Sequence, residues 1–132
     1  ALAVATDNAR RNQVRVEFVE SDLFAAFGGR RFHVVASNPP YVAAGDPHLA
    51  EGDLRFEPRL ALEAGQAGME VITRLANAAR EHLEPGGVLV FEHGHDQGPA
   101  SVQLLRDLGY QDVNDYNDLA GISRVTRGRW PG

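Results

Sequence analysis

The 132 residues contain no cysteine, so the chain has neither disulfides nor a thiolate metal site, a composition that fits the cytosol. No apolar run approaches the roughly 20 residues a membrane helix needs, and no signal-peptide pattern opens the chain. Internal repeats and low-complexity segments are missing too. Positive charge is scarce: 13 basic against 18 acidic side chains give a net charge of -5. A surface built for duplex nucleic acid neutralises several phosphates, which this balance argues against. Protein and small-molecule substrates stay open. What is present is an ordinary globular composition, 43% hydrophobic and 23% charged, in one domain large enough to bury a core.

The chain opens Ala1-Leu2-Ala3-Val4-Ala5 with neither a methionine nor a capping residue. It reads as a helix already under way to about Asn12, with Leu2, Ala5 and Ala9 on one face, and hence as a piece of a longer protein. Val14 to Phe18 alternates apolar and polar, a strand signal. Ser21-Asp22 ends it, and Leu23 to Phe27 predicts one short helical turn before Gly28-Gly29. Phe32 to Ser37 is nearly all apolar, the pattern of a strand buried on both faces of a parallel sheet. Val42 to about Ala67 shows no sustained period and predicts a long loop, functional or disordered.

From Gly68 or Met69 to Leu83 runs the clearest helical stripe, Val71, Ile72, Leu75, Ala79 and Leu83, stopped by Pro85-Gly86-Gly87. Val88 to Glu92 predicts another buried strand. Pro99 to Leu108 predicts a helix with proline in its first turn and Gly109 beyond its end. Tyr110 to Tyr116 and Ile122 to Thr126 predict a hairpin around Asp118-Leu119-Ala120-Gly121. Strands alternating with helices mean an α/β sheet, and in open sheets of that kind ligands sit beyond the carboxyl ends of the strands. Ser21-Asp22, Asn38 to Tyr41 and Glu92 to His95 fall on such ends, and together they predict a single site on one edge.

Asn38-Pro39-Pro40-Tyr41 is the most specific of these motifs. Two adjacent prolines donate no backbone hydrogen bonds and hold their φ angles fixed, and the residue before a proline is pushed to extended backbone. The strand therefore stops at Asn38 in a stiff corner that offers a carboxamide, carbonyl acceptors and an aromatic ring. Such a corner suits a planar amide or amino nitrogen. His93 and His95 invite a metal reading, but two histidines one residue apart, with no cysteine to help, fit a solvated loop better, and no metal is expected. The basic run Arg124 to Arg129 is read as a solvated tail rather than an RNA contact.

At the proline corner the chain resembles the class I S-adenosylmethionine-dependent methyltransferases that act on planar nitrogen. Within them it is most similar to the HemK-type family, the peptide-chain release factor glutamine methyltransferases. Phe56-Glu57-Pro58-Arg59-Leu60-Ala61-Leu62 with Gly65 and Gly68 is similar to that family's second signature. Pro85-Gly86-Gly87, Glu92 to Gly98, and Asp118 to Gly121 with Arg124-Val125 complete the likeness, which covers essentially the whole chain. An apolar residue is usual where His93 stands.

The resemblance implies a Rossmann-like sheet ending in an antiparallel hairpin and incomplete here, lacking its first two strands, the glycine-rich cofactor turn and the helical N-terminal domain. The implied strand order is third, second, first, fourth, fifth, seventh, sixth. It implies S-adenosylmethionine as cofactor, a release factor as protein substrate, and a cytoplasmic enzyme with no direct contact to nucleic acid or membrane.

Residue by residue, Asn38 and the Pro39 carbonyl would accept from the target amide, with Pro40 stiffening the corner and Tyr41 packing on the substrate. Asp22 and Leu23 would line the adenine end of the cofactor, with a helix cap or turn as the plain alternative for Asp22. Glu57 and Pro58 would hold the loop over the substrate, or Glu57 would pair with Arg55 or Arg59 at the surface. Without its missing strands this stretch alone is expected to bind cofactor poorly, to be inactive, and to risk self-association through an unpaired sheet edge. A ribosomal-protein glutamine methyltransferase, a nucleic-acid adenine methyltransferase and a catalytically inactive α/β association module are the competing readings.

Overall fold

In the computed structural model residues 1–39 and 58–132 are described, the stretch 58–68 by its backbone alone. Two compact units are present, residues 1–30 and 31–132, and each is taken by itself.

The first unit holds helix α1, Leu2–Arg11, with Arg10 and Arg11 in its last turn, where cations suit the helix dipole. Arg11 pairs with Asp7 one turn back at 2.9 Å. The chain then runs irregularly to a short 3₁₀ turn at Ala25–Phe27, fastened where the Ser21 hydroxyl accepts from the Ala26 amide at 2.9 Å. Val14 to Phe18 forms no strand, against the alternation in its sequence. Val14 and Val16 are about half exposed. A strand exists only by pairing with another, and no partner ladder for this segment is found among the described residues.

The second unit is a four-stranded sheet, β1 (Phe32–Ser37), β2 (Leu83–Glu92), β3 (Gln111–Asn117) and β4 (Ser123–Arg129), in the order β1-β2-β4-β3. β1 and β2 are parallel, whereas β4 runs antiparallel to both β2 and β3. This is the fourth, fifth, seventh and sixth part of the implied order, antiparallel hairpin included. Helix α2, Pro58–Ala79, fills much of the β1–β2 crossover, and helix α3, Gly98–Asp107, joins β2 to β3.

Helix α2 starts ten residues earlier than its apolar stripe suggests. Pro58 takes the first helical position, where a proline loses nothing, and Leu60 to Ala64 are strong helix formers. Together they outweigh two interior glycines, which cost about 1 kcal/mol each. The helix also stops earlier, so Leu83 belongs to β2, where it pairs with Phe32 and is fully buried.

Pro85-Gly86-Gly87 lies inside β2 rather than before it. The register steps from Phe32↔Leu83 to Val34↔Val88, so extra residues of β2 bulge out against β1. Gly86 takes φ +84 there, and a Cβ on Gly87 would lie 2.8 Å from the Glu84 carbonyl oxygen. Exchanged hydrogen bonds between Gly86 or Gly87 and Trp130 fix the bulge to the end of β4.

One face of the sheet carries the core. Leu89 and Phe91 of β2, Ile72, Leu75 and Ala76 of α2, and Leu105 of α3 are all buried. The Tyr110 hydroxyl donates to the Ala76 carbonyl at 2.7 Å, tying β3 to α2, and burial pushes its phenol well above the usual range. The opposite face is open among the described residues. Val34 there is 60% exposed, so among the described residues β1 is covered on one side only and not on both as its apolar run suggested.

Candidate functional site

The parallel pairing of β1 and β2 sets Ser37 beside Phe91, so Asn38 and Glu92 leave the sheet at the same edge. Asn38 is exposed and Pro39 behind it is buried, as expected of a carboxamide presented on a stiff corner. A cleft of about 360 Å³ opens there, lined by Ser37, Asn38, Val90, Phe91, Glu92 and Val125. Its walls are mainly apolar, with Asn38 and Glu92 as polar ends. That lining suits an aliphatic stem carrying a polar head. Two of the three polar clusters foreseen on the strand ends thus share an edge. Asp22 and Leu23 sit in the first unit, where the Asp22 carbonyl accepts from the Ala25 amide at 3.0 Å. Leu23 is held at φ +51, a left-handed conformation that a leucine adopts only under constraint.

Pro40, Tyr41 and Glu57 lie outside the described residues. Pro58 is placed as the first residue of α2.

His93 is not part of a solvated loop. Its side chain is fully buried, with Nε2 2.8 Å from Asp115 Oδ1 and Nδ1 2.8 Å from the Gly94 carbonyl oxygen. Both ring nitrogens are thereby engaged by oxygens of the protein. The Ser123 hydroxyl donates to the other oxygen of Asp115 and Thr126 donates to Oδ1 at 3.1 Å. Burial alone would raise the Asp115 carboxyl, but the hydrogen bonds from Ser123, His93 and Thr126 outweigh it and hold the group below its ordinary range. Gln97 accepts from the Gly94 amide at 2.8 Å. A Cβ on Gly98 would collide with the Ser123 hydroxyl and stand 2.9 Å from Asp115 Oδ2, so a larger residue at the start of α3 would displace these side chains. The segment Glu92 to Gly98 is therefore a polar knot that ends β2 beside the cleft and starts α3. His95, by contrast, is exposed, and among the described residues no cluster of side chains could hold a metal ion.

Glu92 belongs to one of the strand-end clusters read from sequence, whereas Asp115 and the cleft residue Val125 were not among the candidates. One signal was there: Asp115 shares the period-two face of buried Val113, an inward position where a carboxylate needs partners. The arginines of the C-terminal run are also engaged. Arg129 pairs with Asp112 at 2.8 Å, Arg127 donates to the Asp112 carbonyl, and Arg124 stands 3.5 Å from Asp118. No helix among the described residues is long and apolar enough to cross a membrane.

A family model described as the methyltransferase small domain matches residues 1–52. The release factor glutamine methyltransferase of Salmonella typhimurium is 47% identical over 98% of this chain, which corresponds to 47% of that protein. Its counterpart in Burkholderia pseudomallei is 50% identical over the whole chain and 49% of its own length. The chain thus spans about half the length of the curated relatives it matches. Among solved structures, a methyltransferase from Pyrococcus furiosus superposes with a TM-score of 0.63 at 24% identity, covering 97% of this chain and 56% of the other. A release factor-specific protein-(glutamine-N5) methyltransferase from Alicyclobacillus acidocaldarius gives 0.50 at 24% identity, over 83% of this chain and 55% of its own. These likenesses establish the class I methyltransferase fold. With Asn38 and Pro39 at the carboxyl edge of β1, the chain is similar along its whole length to release factor glutamine methyltransferases.

Proposed function

We propose that this chain is the C-terminal part of a catalytic domain that moves a methyl group from S-adenosylmethionine to the side-chain amide nitrogen of a glutamine in a peptide chain release factor. The observation that carries this function is the exposed Asn38, ending a parallel strand at the mouth of a mainly apolar cleft. The relatives' shared name supports the choice of substrate.

The chemistry asks for little more than acceptors and orientation. An amide nitrogen is a weak nucleophile because its lone pair is delocalised. S-adenosylmethionine, when bound, supplies a methyl carbon made electrophilic by its sulfonium. Asn38 accepts one amide N–H through its side-chain oxygen and the Pro39 carbonyl accepts the other. These acceptors turn the nitrogen lone pair out of conjugation and stabilise the positive charge that grows on it. With the cofactor bound, its sulfonium would supply the methyl group and leave as a neutral thioether, while Asn38 and the Pro39 carbonyl would hold the amide until its proton passes to solvent. The apolar wall of Val90, Phe91 and Val125 suits the glutamine stem. Tyr41 is assigned to packing on the substrate, Glu57 and Pro58 to holding the substrate loop, and Asp22 with Leu23 to the adenine end of the cofactor.

The enzyme so described is cytoplasmic and acts on protein. The engagement of Arg124, Arg127 and Arg129 by the chain's own oxygens supports a lack of direct contact with nucleic acid. Among the described residues β1 ends the sheet order, and that edge is where copies of this stretch would associate. The test is mass spectrometry of a release factor incubated with the full-length protein and S-adenosylmethionine. One added methyl group on a glutamine peptide is expected, and Asn38→Ala should lower the rate by at least about 100-fold while leaving the fold intact. Unchanged transfer by that variant refutes the role given to Asn38.

A further inference from the structure

We infer that the tip of the β3–β4 hairpin, with Leu119 at its apex, is a docking point for the polypeptide that presents its glutamine at Asn38. The inference rests on the function proposed above and adds where the substrate is gripped beyond its reacting side chain.

Hairpin tips are ordinarily polar or glycine-rich. This one reads Asp118-Leu119-Ala120-Gly121-Ile122, and Leu119 is fully exposed. Its display is rigid. Asp118 Oδ1 accepts from the amides of Ala120 at 2.8 Å and Ile122 at 3.0 Å. The Asp118 amide donates to the Ile122 carbonyl at 2.8 Å. Gly121 takes the positive φ of +79 that closes the turn. The hydrogen bond from Ile122 leads those that hold the Asp118 carboxyl below its ordinary range, so it remains an acceptor at neutral pH. An apolar side chain fixed in water gains by being covered, and its rigidity lowers the entropy lost when that happens.

The tip is continuous with the cleft. Val125 is paired with Glu92 on one side and with Tyr116 on the other, and paired residues share a face of the sheet. Val125 and Glu92 line the cleft with Asn38, so an apolar track leads from there through Val125 and Tyr116 to Ile122 and Leu119. Tyr116 is 47% exposed and Ile122 39%. Neighbouring strands lie about 4.8 Å apart, so β4 is roughly 10 Å across the sheet from β1. The tip lies beyond the start of β4, at least about 10 Å further along the strand direction from Val125, so an extended polypeptide spans from Asn38 to Leu119 in roughly five residues. A protein substrate seated at Asn38 therefore reaches the tip with residues about five positions from its glutamine. The cations nearest this track, Arg124 and Arg127, already face oxygens of the chain, which favours a polypeptide over a nucleic acid.

Two measurements on the full-length enzyme test this. In the first, an intact release factor is compared with a peptide cut to two residues on either side of its glutamine. For Leu119→Ser the ratio of kcat/KM between factor and peptide should fall about tenfold through KM, and Leu119→Met should restore it. An unchanged ratio overturns the inference. In the second, Leu119→Cys is alkylated and followed by mass spectrometry. Fast modification in the free enzyme, slowed by the release factor but not by RNA, is expected. Slow modification without substrate means that another part of the polypeptide or a second copy covers the tip, and also overturns it. Failure of the unaltered enzyme to methylate either substrate counts against the proposed function, while the alkylation still decides the docking.

Discussion

Replacing Asp115 by alanine removes the acceptor on which three donors converge: the ring of His93 and the hydroxyls of Ser123 and Thr126. The His93 side chain and Thr126 are fully buried, so neither can turn to bulk water. A buried donor left without a partner costs about 1–3 kcal/mol. Three donors lose their acceptor, but Asp115 itself keeps 24% exposure, which lets water reach part of the gap and places the loss at about 3 kcal/mol. Against a typical net stability of roughly 5–15 kcal/mol that is a large share. Asp115→Asn keeps one oxygen in place and should lose only about 1 kcal/mol.

The assay is urea unfolding of the full-length protein, read as a shift in midpoint at constant slope. His93→Leu, alone and combined with Asp115→Ala, completes a double-mutant cycle. A coupling of at least about 1.5 kcal/mol is expected for groups in direct contact within one network. An Asp115→Ala variant within about 1 kcal/mol of the unaltered protein, or strict additivity with His93→Leu, would refute the claim that this pair holds the knot beside the cleft.

Two further outcomes follow from the same geometry. Because hydrogen bonds depress the Asp115 carboxyl in the folded state, its contribution is present above the ordinary carboxylate pKa near ~3.9 and is lost as pH falls through the lower folded value. An acid titration followed by circular dichroism should therefore fall less steeply below about pH 4 for Asp115→Asn than for the unaltered protein. Gly87→Ala should cost about 2 kcal/mol in the same urea assay, because its Cβ would press on the carbonyl oxygens of Glu84, His33 and Phe32 at 2.8, 3.1 and 3.1 Å, and backbone cannot step aside cheaply. Gly121→Ala is the comparison: its turn has open space and should lose only about 1 kcal/mol to its positive φ.

Much of the sheet was legible because its signals are local. The apolar run of β1 and the proline corner at its end fix that strand's limits, Phe32 to Ser37, and the site residue that follows. The Asp118 to Gly121 turn marks the hairpin, and Pro99 and Gly109 bracket α3 to within a residue. Local signals failed where two of them compete. Gly65 and Gly68 hid the first turns of α2, although Pro58 announced its start. Pro85-Gly86-Gly87 reads as a break between elements, yet the register with β1 absorbs it as a bulge.

Other features belong to pairs of segments and cannot be read from either alone. Val14 to Val19 has the composition of a strand but pairs with nothing described, and composition without a neighbour makes no ladder. Val34 looks like a residue covered on both sides, yet cover depends on what packs above the sheet. His93 shows the same dependence at a single side chain. Beside His95 it resembles half of a metal site, and the residue that determines its role, Asp115, lies 22 positions later on another strand. Asn38 differs because a proline fixes its conformation from the next position. Its position was legible for the same reason that its geometry is rigid: the cause lies within one residue of the effect.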